Sequence, residues 1–299
     1  MKFSRLFHTL SWITRHPLNS GRKFQALSRW LRWQIGSRLV PGPVVIPFVD
    51  QTRYIAHPGM TGATGNHYAG LIEYEEMGFV LHFLRPDDHF VDVGANVGMF
   101  TILAAGAVGA RVTAFEPAAR TFQHLEENVR INRLENQVQL HRAGVGDAPG
   151  TLRLSSHLDQ TNRMLAASEG NMPSEEVEVM TLDEGLSDPA HFLKVDVEGF
   201  EPAVFAGARQ CLADPSLRGM IVELKGYGAQ YGFDEQDLWR IIIDEGFVPV
   251  SYDPGSRTLQ RLSTDHIPSH GNGLFVRDYE EASQRLRDAP RFDVAGRPL

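Results

Sequence analysis

The sequence predicts an α/β fold built on a parallel sheet, and three observations predict it. Strand-like apolar runs alternate with helical patterns between residues 89 and 276, the order that places helices on both faces of such a sheet. A glycine turn, Gly94-Ala95-Asn96-Val97-Gly98, joins the first of those strands to the next helix. Three acids, Asp92, Glu116 and Asp196, fall at the predicted ends of strands, where open α/β sheets take their ligands.

Taken in order, residues 1–43 read as a helical extension. Lys2, Arg5, Arg15, Arg22, Lys23, Arg29, Arg32 and Arg38 lie before residue 50, and no acid does. Three of the four tryptophans, Trp12, Trp30 and Trp33, are here too. Phe24, Leu27, Trp30 and Leu31 follow helical spacing. A basic helix with Trp and Leu on one face can lie on an anionic membrane surface or in a partner's groove. The plainer reading is an extension packed on its own domain or on a second copy of the chain.

Residues 44–88 read as a lead-in. Pro41-Gly42-Pro43 closes the extension, residues 44–49 and 52–56 form a hairpin, and 58–70, with four glycines, form a flexible loop. A helix then covers 72–84 and stops at Arg85-Pro86.

Residues 89–278 make the main domain. Phe90, Val91 and Val93 form its first strand, and the helix after Gly98 offers free N–H groups beside the glycine turn, which together make a nucleotide-binding corner. The dinucleotide fingerprint needs glycine at its first, third and sixth positions. Those positions hold Gly94, Asn96 and Met99, so it fails, and no Lys-Ser or Lys-Thr completes a Walker pattern. Asp92 can hold the ammonium of an amino-acid-like ligand. Glu116 ends the second strand about 20 residues after the turn, which suits two hydrogen bonds to ribose hydroxyls; Pro117 stops that strand and starts a helix. Phe122, Leu125 and Val129 give this helix its buried face, and residues 138–141 form the third strand.

Residues 151–154 and 177–181 form a β excursion, with a polar loop at 157–173 on the acceptor side. The fourth and fifth strands are read at 193–197 and 220–224, with a helix at 202–212 between them. A helix at 234–245 turns Leu238, Ile241 and Ile242 inward, and 247–252 and 273–276 complete the sheet. Residues 279–299 read as a charged tail, helical through 280–287 and frayed beyond.

Asp92-Val93-Gly94-Ala95-Asn96-Val97-Gly98, Phe115-Glu116-Pro117 and Lys194-Val195-Asp196-Val197-Glu198-Gly199-Phe200-Glu201 together resemble the FkbM family of S-adenosylmethionine-dependent methyltransferases, over residues 74–276. The resemblance implies a Rossmann-like, seven-stranded class I sheet whose last strand runs antiparallel. It implies S-adenosylmethionine as cofactor, with Glu75 approaching it and Asp147, or a backbone group of its loop, meeting the adenine. Thr181-Leu182-Asp183 matches a run common in the family, with a capping role expected for Asp183.

The reaction expected is O-methylation of a hydroxyl on a sugar, glycoconjugate or polyketide-type product. An acceptor hydroxyl is a poor nucleophile, so a base or a metal should stand beside it. Strand alternation puts Asp196 and Glu198 on one side as general-base candidates. With Glu223 they would form an oxygen site for Mg²⁺; the structural alternative has Glu198 capping the next helix and Glu201 exposed in its first turn. A Rossmann-like NAD-dependent oxidoreductase and a catalytically silent module of the same fold are the competing readings; the failed fingerprint opposes the first and the intact acids the second. The net charge of −8 argues against a nucleic-acid groove. No apolar run of 18 residues occurs and Lys2 and Arg5 open no clean secretory signal. A single cysteine, Cys211, fits a reducing, cytoplasmic setting, or the inner face of a membrane if the extension binds one. A homo-oligomer is compatible with all of this.

Overall fold

The structure, a computed structural model, describes residues 3–39, 42–57, 60–155, 163–165, 172–265, 267 and 271–299, with the side chains of 3–5 and 61–62 left aside. Of the expected acceptor-side loop at 157–173, only residues 163–165, 172 and 173 lie among these residues.

Helices α1 (Phe3–Arg15) and α2 (Lys23–Leu39) form the extension. Strands β1 (Val44–Pro47) and β2 (Arg53–Ala56) pair antiparallel as the expected hairpin. Helices α3 (Thr61–Ala69) and α4 (Tyr74–Phe83) lead into β3 (His89–Val93). Next come α5 (Met99–Ile102), continued by a π-helical turn (Leu103–Val108), β4 (Arg111–Phe115), α6 (Ala119–Ile131) and β5 (Val138–His141). A small three-stranded sheet of β6 (Gly144–Val145), β7 (Gly150–Ser155) and β8 (Ser174–Met180) is the excursion. The rest is α7 (Leu182–Gly185), β9 (Phe192–Val195), α8 (Glu201–Ala206), α9 (Arg209–Ala213), β10 (Gly219–Glu223), α10 (Glu235–Asp244), β11 (Val248–Asp253), β12 (Thr258–Arg261), β13 (Asn272–Val276) and α11 (Tyr279–Arg287).

The main sheet runs β12-β11-β13-β10-β9-β3-β4-β5. From β5 to β10 the pairs are parallel. The last strand, β13, is antiparallel to both β10 and β11. The seven-stranded class I sheet is therefore present, and β12 adds an eighth strand at its edge. Only one side of β12 is paired and only Leu259 of it is buried, too little apolar pattern to be seen in the sequence.

Side chains of the central strands alternate between two cores, as the pleat requires. Phe90, Phe192 and Ile221 face one side, with Phe79 and Phe83 of α4 and Ile102 of α5. Val91, Leu193 and Val222 face the other, with Val204, Phe205, Leu212 and Trp239. Every residue of β3, β9 and β10 is buried, the apolar ones in the two cores and the charged Asp92, Lys194 and Glu223 toward the carboxyl ends of the strands. Among the described residues no helix is long and apolar enough to cross a membrane.

Several expectations are corrected. The glycine-rich loop is largely α3: a Cβ on Gly65 would lie 2.2 Å from Ile72 Cδ1, and Gly70, at φ +92°, ends the helix. Those glycines serve close packing and a helix stop, not flexibility. The helix at 202–212 is two, broken at Gly207, where a Cβ would meet the Gly146 carbonyl at 2.0 Å. In α10 it is Trp239 that turns inward beside Leu238 and Ile242, while Ile241 is 41% exposed. The tail beyond α11 is docked: Phe292 and Val294 are buried and Val294 bridges Val49. Asp183 does cap a helix, but through space, accepting the Gln210 and Cys211 N–H groups of α9 at 3.0 Å each. Cys211 is buried, and burial pushes its thiol up to about 12, so it is inert.

Candidate active site

At the end of β3 the chain turns through Gly94 (φ +77°), Asn96 (φ +52°) and Gly98 (φ +86°). The N–H groups of Gly94 and Ala95 both bond the Phe115 carbonyl at 3.0 Å, tying the turn to β4. A Cβ on Gly94 would lie 1.9 Å from the Asp196 carbonyl oxygen, and one on Gly98 would lie 2.4 Å from Leu125 Cδ1. Gly94 is therefore a steric requirement against backbone, and Gly98 is held by its positive φ. Asn128 of α6 donates to the Val97 carbonyl at 2.8 Å and accepts from Ile55 N–H at 2.7 Å, fixing the turn to the β1–β2 hairpin.

Glu116 closes one side of the turn. Its carboxylate accepts the Asn96 N–H at 3.0 Å and the Ala118 N–H at 2.9 Å. Burial pushes its pKa up to about 7 against those two bonds. Each carboxylate oxygen keeps a further lone pair for a ligand.

Beneath the turn lies a buried ion cluster. Lys194 Nζ is 3.6 Å from Asp92 Oδ1 and 3.3 Å from Asp196 Oδ2, and 5.1 Å from the Phe100 ring centre. Burial pulls the Lys194 ammonium down, but Asp196, Asp92 and Glu73 together hold it above its usual range. Asp92 is fully buried and accepts Thr101 Oγ1 at 2.7 Å; burial, only partly offset by Lys194, raises its pKa.

Past β9 the chain folds back on itself. Glu198 has φ +55°, and its N–H bonds Glu223 at 3.0 Å. Glu201 is buried, accepting the Val197 and Gly199 N–H groups at 3.1 and 3.2 Å. Glu223 pairs with Lys225. Burial, then Asp196, Glu198 and Glu201, push Glu223 up, and Lys225 draws it back. Burial likewise raises Glu198.

Two cavities meet here. The first, of about 310 Å³, is lined by residues 93–97, Glu116, Pro117, residues 143–145, Asp196, Glu198, Phe200 and Met164. The second, of about 740 Å³, is lined by Glu73, Glu75, Glu76, Ser251, Asn272 and His16 among others. Ile72, Glu73, Asp196 and Lys225 line both.

The structure thus brings Gly94, Ala95, Asn96, Glu116, Pro117, Asp196 and Glu198 together around one cavity. Gly98 shapes the turn from behind. Asp92 is walled off by its ion pair and supports the site from below. Glu75 opens into the second cavity, because α4 begins at Tyr74 and leaves Glu73 facing the first. Asp147 is exposed, and residues 143–145 of its loop line the cavity instead. Glu198 caps no helix; Glu201 ties down the turn before α8, and it is buried, not exposed. Strand alternation does not relate Asp196 to Glu198, since β9 ends at Val195. They still converge: one carboxylate oxygen each from Asp196, Glu198 and Glu223 lie within 4.8 Å of one another. Lys194 on Asp196 and Lys225 on Glu223 place ammonium groups against this set, so two of the three acids are charge-paired by the protein itself. Sequence reading missed Lys194, Lys225 and Glu73. The central-strand position of Lys194, flanked by apolar residues, was the available signal.

Residues 92–249 match the methyltransferase FkbM domain family. Methyltransferase 1 of Beauveria bassiana is 30% identical, over 41% of this chain and 59% of that protein. The 31-O-demethyl-FK506 methyltransferase FkbM of Streptomyces tacrolimicus is 29% identical, over 56% of this chain and 75% of that protein. The crystal structure of methyltransferase FkbM from Methylobacillus flagellatus superposes with a TM-score of 0.45 at 19% identity, over 72% of this chain and 52% of that one. The chain spans less than two thirds of the fungal relative's length.

Proposed function

The chain belongs to the FkbM methyltransferase family, and from that premise we propose that it transfers a methyl group from S-adenosylmethionine to a hydroxyl of a sugar, glycoconjugate or polyketide-type acceptor. The observation that carries the reading is the position of Asp196, which lines both cavities at their junction. A cofactor in the first and an acceptor in the second would meet at that carboxylate.

The donor set fits the cofactor. Glu116 offers oxygens for ribose hydroxyls, the backbone at residues 143–145 faces the adenine, and Glu73 takes the ammonium in place of the walled-off Asp92, which leaves Asp196 to the acceptor. When bound, S-adenosylmethionine supplies a methyl already activated as a sulfonium. The protein aligns the acceptor oxygen and removes its proton as the new bond forms. Asp196 is fixed by Lys194 at 3.3 Å, so its carboxylate is aimed without a search. Glu198 stands beside it as a relay for the proton.

Glu73, Glu75 and Glu76 on the second cavity repel an anionic acceptor, while Ser251 and Asn272 match hydroxyls. The Streptomyces relative is named for an O-demethyl acceptor, which supports oxygen as the atom methylated here. Titration calorimetry should show S-adenosylhomocysteine binding at roughly micromolar Kd, about −8 kcal/mol. Binding of NAD instead, or no heat with S-adenosylhomocysteine, overturns the reading.

A further inference from the structure

Helix α2 has two opposite faces. Ala26 is buried, with Leu27, Trp30 and Trp33 packed beside it against Ile13 of α1 and Tyr68 of α3. Asn19 and Arg29 both donate to the Tyr68 carbonyl, at 3.1 and 2.9 Å. The packed-extension reading of these residues is therefore right for one face.

The other face carries Phe24, Leu31, Ile35 and Leu39, at positions i, i+7, i+11 and i+15, a single stripe along a helix. These side chains are 84, 51, 51 and 74% exposed. Single exposed apolar residues are ordinary, but four in one line mark a surface that something covers. Arg32 and Arg38 flank the stripe on its two sides, both exposed, and Lys23 opens the helix. Residues 1–49 hold eight basic side chains and no acid, in a chain of net charge −8.

We propose that this face of α2 docks on an anionic lipid surface, the helix lying in the plane of the interface. Apolar side chains enter between the lipids while the flanking arginines meet the headgroup charge. A second copy of the chain suits the face less well, because a twofold contact would set two basic, acid-free helices against each other. The placement has a further consequence. His16 and Pro17, between α1 and α2, wall the second cavity, so the segment that leads into the docking helix is also part of that cavity's wall. The lipid contact itself does not depend on which reaction the cavities perform.

The test uses the full chain with sedimented vesicles. Vesicles of phosphatidylglycerol and phosphatidylcholine should carry the protein down at low salt, and high salt should release it. Phosphatidylcholine alone should bind it far less. Leu31→Ser combined with Ile35→Ser and Leu39→Ser should lower vesicle affinity roughly 10-fold or more and leave the melting temperature unchanged, since the stripe supports no core. Arg32→Glu with Arg38→Glu keeps the stripe and should weaken only the anionic binding. No binding to anionic vesicles at low salt overturns the proposal. So does equal binding to neutral vesicles, or a solution dimer that the triple serine variant dissociates without any change in vesicle binding.

Discussion

Replacing Lys194 by methionine removes the ammonium between Asp92 and Asp196 while keeping most of the side chain's volume. Asp92 is fully buried, and its Oδ1 has no hydrogen-bond partner among the described residues. What offsets its charge is the Lys194 ammonium at 3.6 Å and the Thr101 hydroxyl at 2.7 Å on the other oxygen. Breaking a buried pair by deleting one partner costs about 3–5 kcal/mol, because the remaining charge is left in a poor solvent. That is a large share of the roughly 5–15 kcal/mol that holds a typical domain together, and the midpoint of melting should fall on the order of 10 °C. The loss should deepen as pH rises. Without Lys194 the folded-state pKa of Asp92 climbs further above its unfolded value, so stability at this site is present below the unfolded carboxylate range and is lost as pH rises through the folded one. Urea unfolding followed by tryptophan fluorescence at two pH values measures both effects. Adding Asp92→Asn to the variant neutralises the stranded group and should recover at least half of the loss. A Lys194→Met variant that loses less than about 1 kcal/mol, or a double variant no more stable than the single one, refutes the claim that this charge pair holds up the floor of the cavity.

Gly94→Ala should destabilise by more than about 2 kcal/mol or expel the Asp196 loop, since its Cβ would sit 1.9 Å from a backbone oxygen at positive φ; a melting curve like wild type contradicts it. Glu116, raised from 4.5 to about 7, favours the folded state below pH 4.5 and loses that contribution as pH climbs through 7. Wild type should therefore lose about 2–3 kcal/mol between pH 5 and pH 8 that Glu116→Gln does not lose, as read from paired urea titrations. Asp196→Asn should keep S-adenosylhomocysteine affinity within a few-fold and lower turnover about 10²–10⁴-fold. Near-normal turnover in both Asp196→Asn and Glu198→Gln would leave alignment alone as the source of rate. Chelator should leave turnover unchanged, and activity restored by Mg²⁺ would reinstate the metal.

What could be read in advance was local. The turn at residues 94–98 is marked by its own two positive-φ glycines, and Glu116 by the proline that follows it at the strand end, so their chemistry shows in the sequence. What could not be read depends on distant parts of the chain. Whether Asp92 is open or sealed is decided by Lys194, about a hundred residues later. Which of Glu73 and Glu75 reaches the first cavity turns on the start point of one helix, a boundary that sequence patterns place only within a few residues. The glycines of α3 look like flexibility until the Ile72 side chain that fills Gly65's missing Cβ is in place. Glu201 looked exposed because a first-turn acid usually is, and only the fold shows that two backbone amides claim it.

The order of strands in the main sheet constrains the order in which the molecule can be completed. β11 and β12 emerge from synthesis before β13, yet among the described residues they join the parallel strands only through β13. Until Asn272–Val276 is made and inserted, that hairpin shares no strand pairing with the finished parallel half. The amino-terminal extension waits as well. Arg22 donates to the Gly296 carbonyl, and Arg297 to those of Pro17 and Ser20, contacts spanning more than 270 residues. The packing of α2 on α1 and α3 therefore needs only neighbouring residues, while its clamp needs Gly296 and Arg297. In the interval between the two, the outer stripe of α2 is already presented on a helix held by α1 and α3.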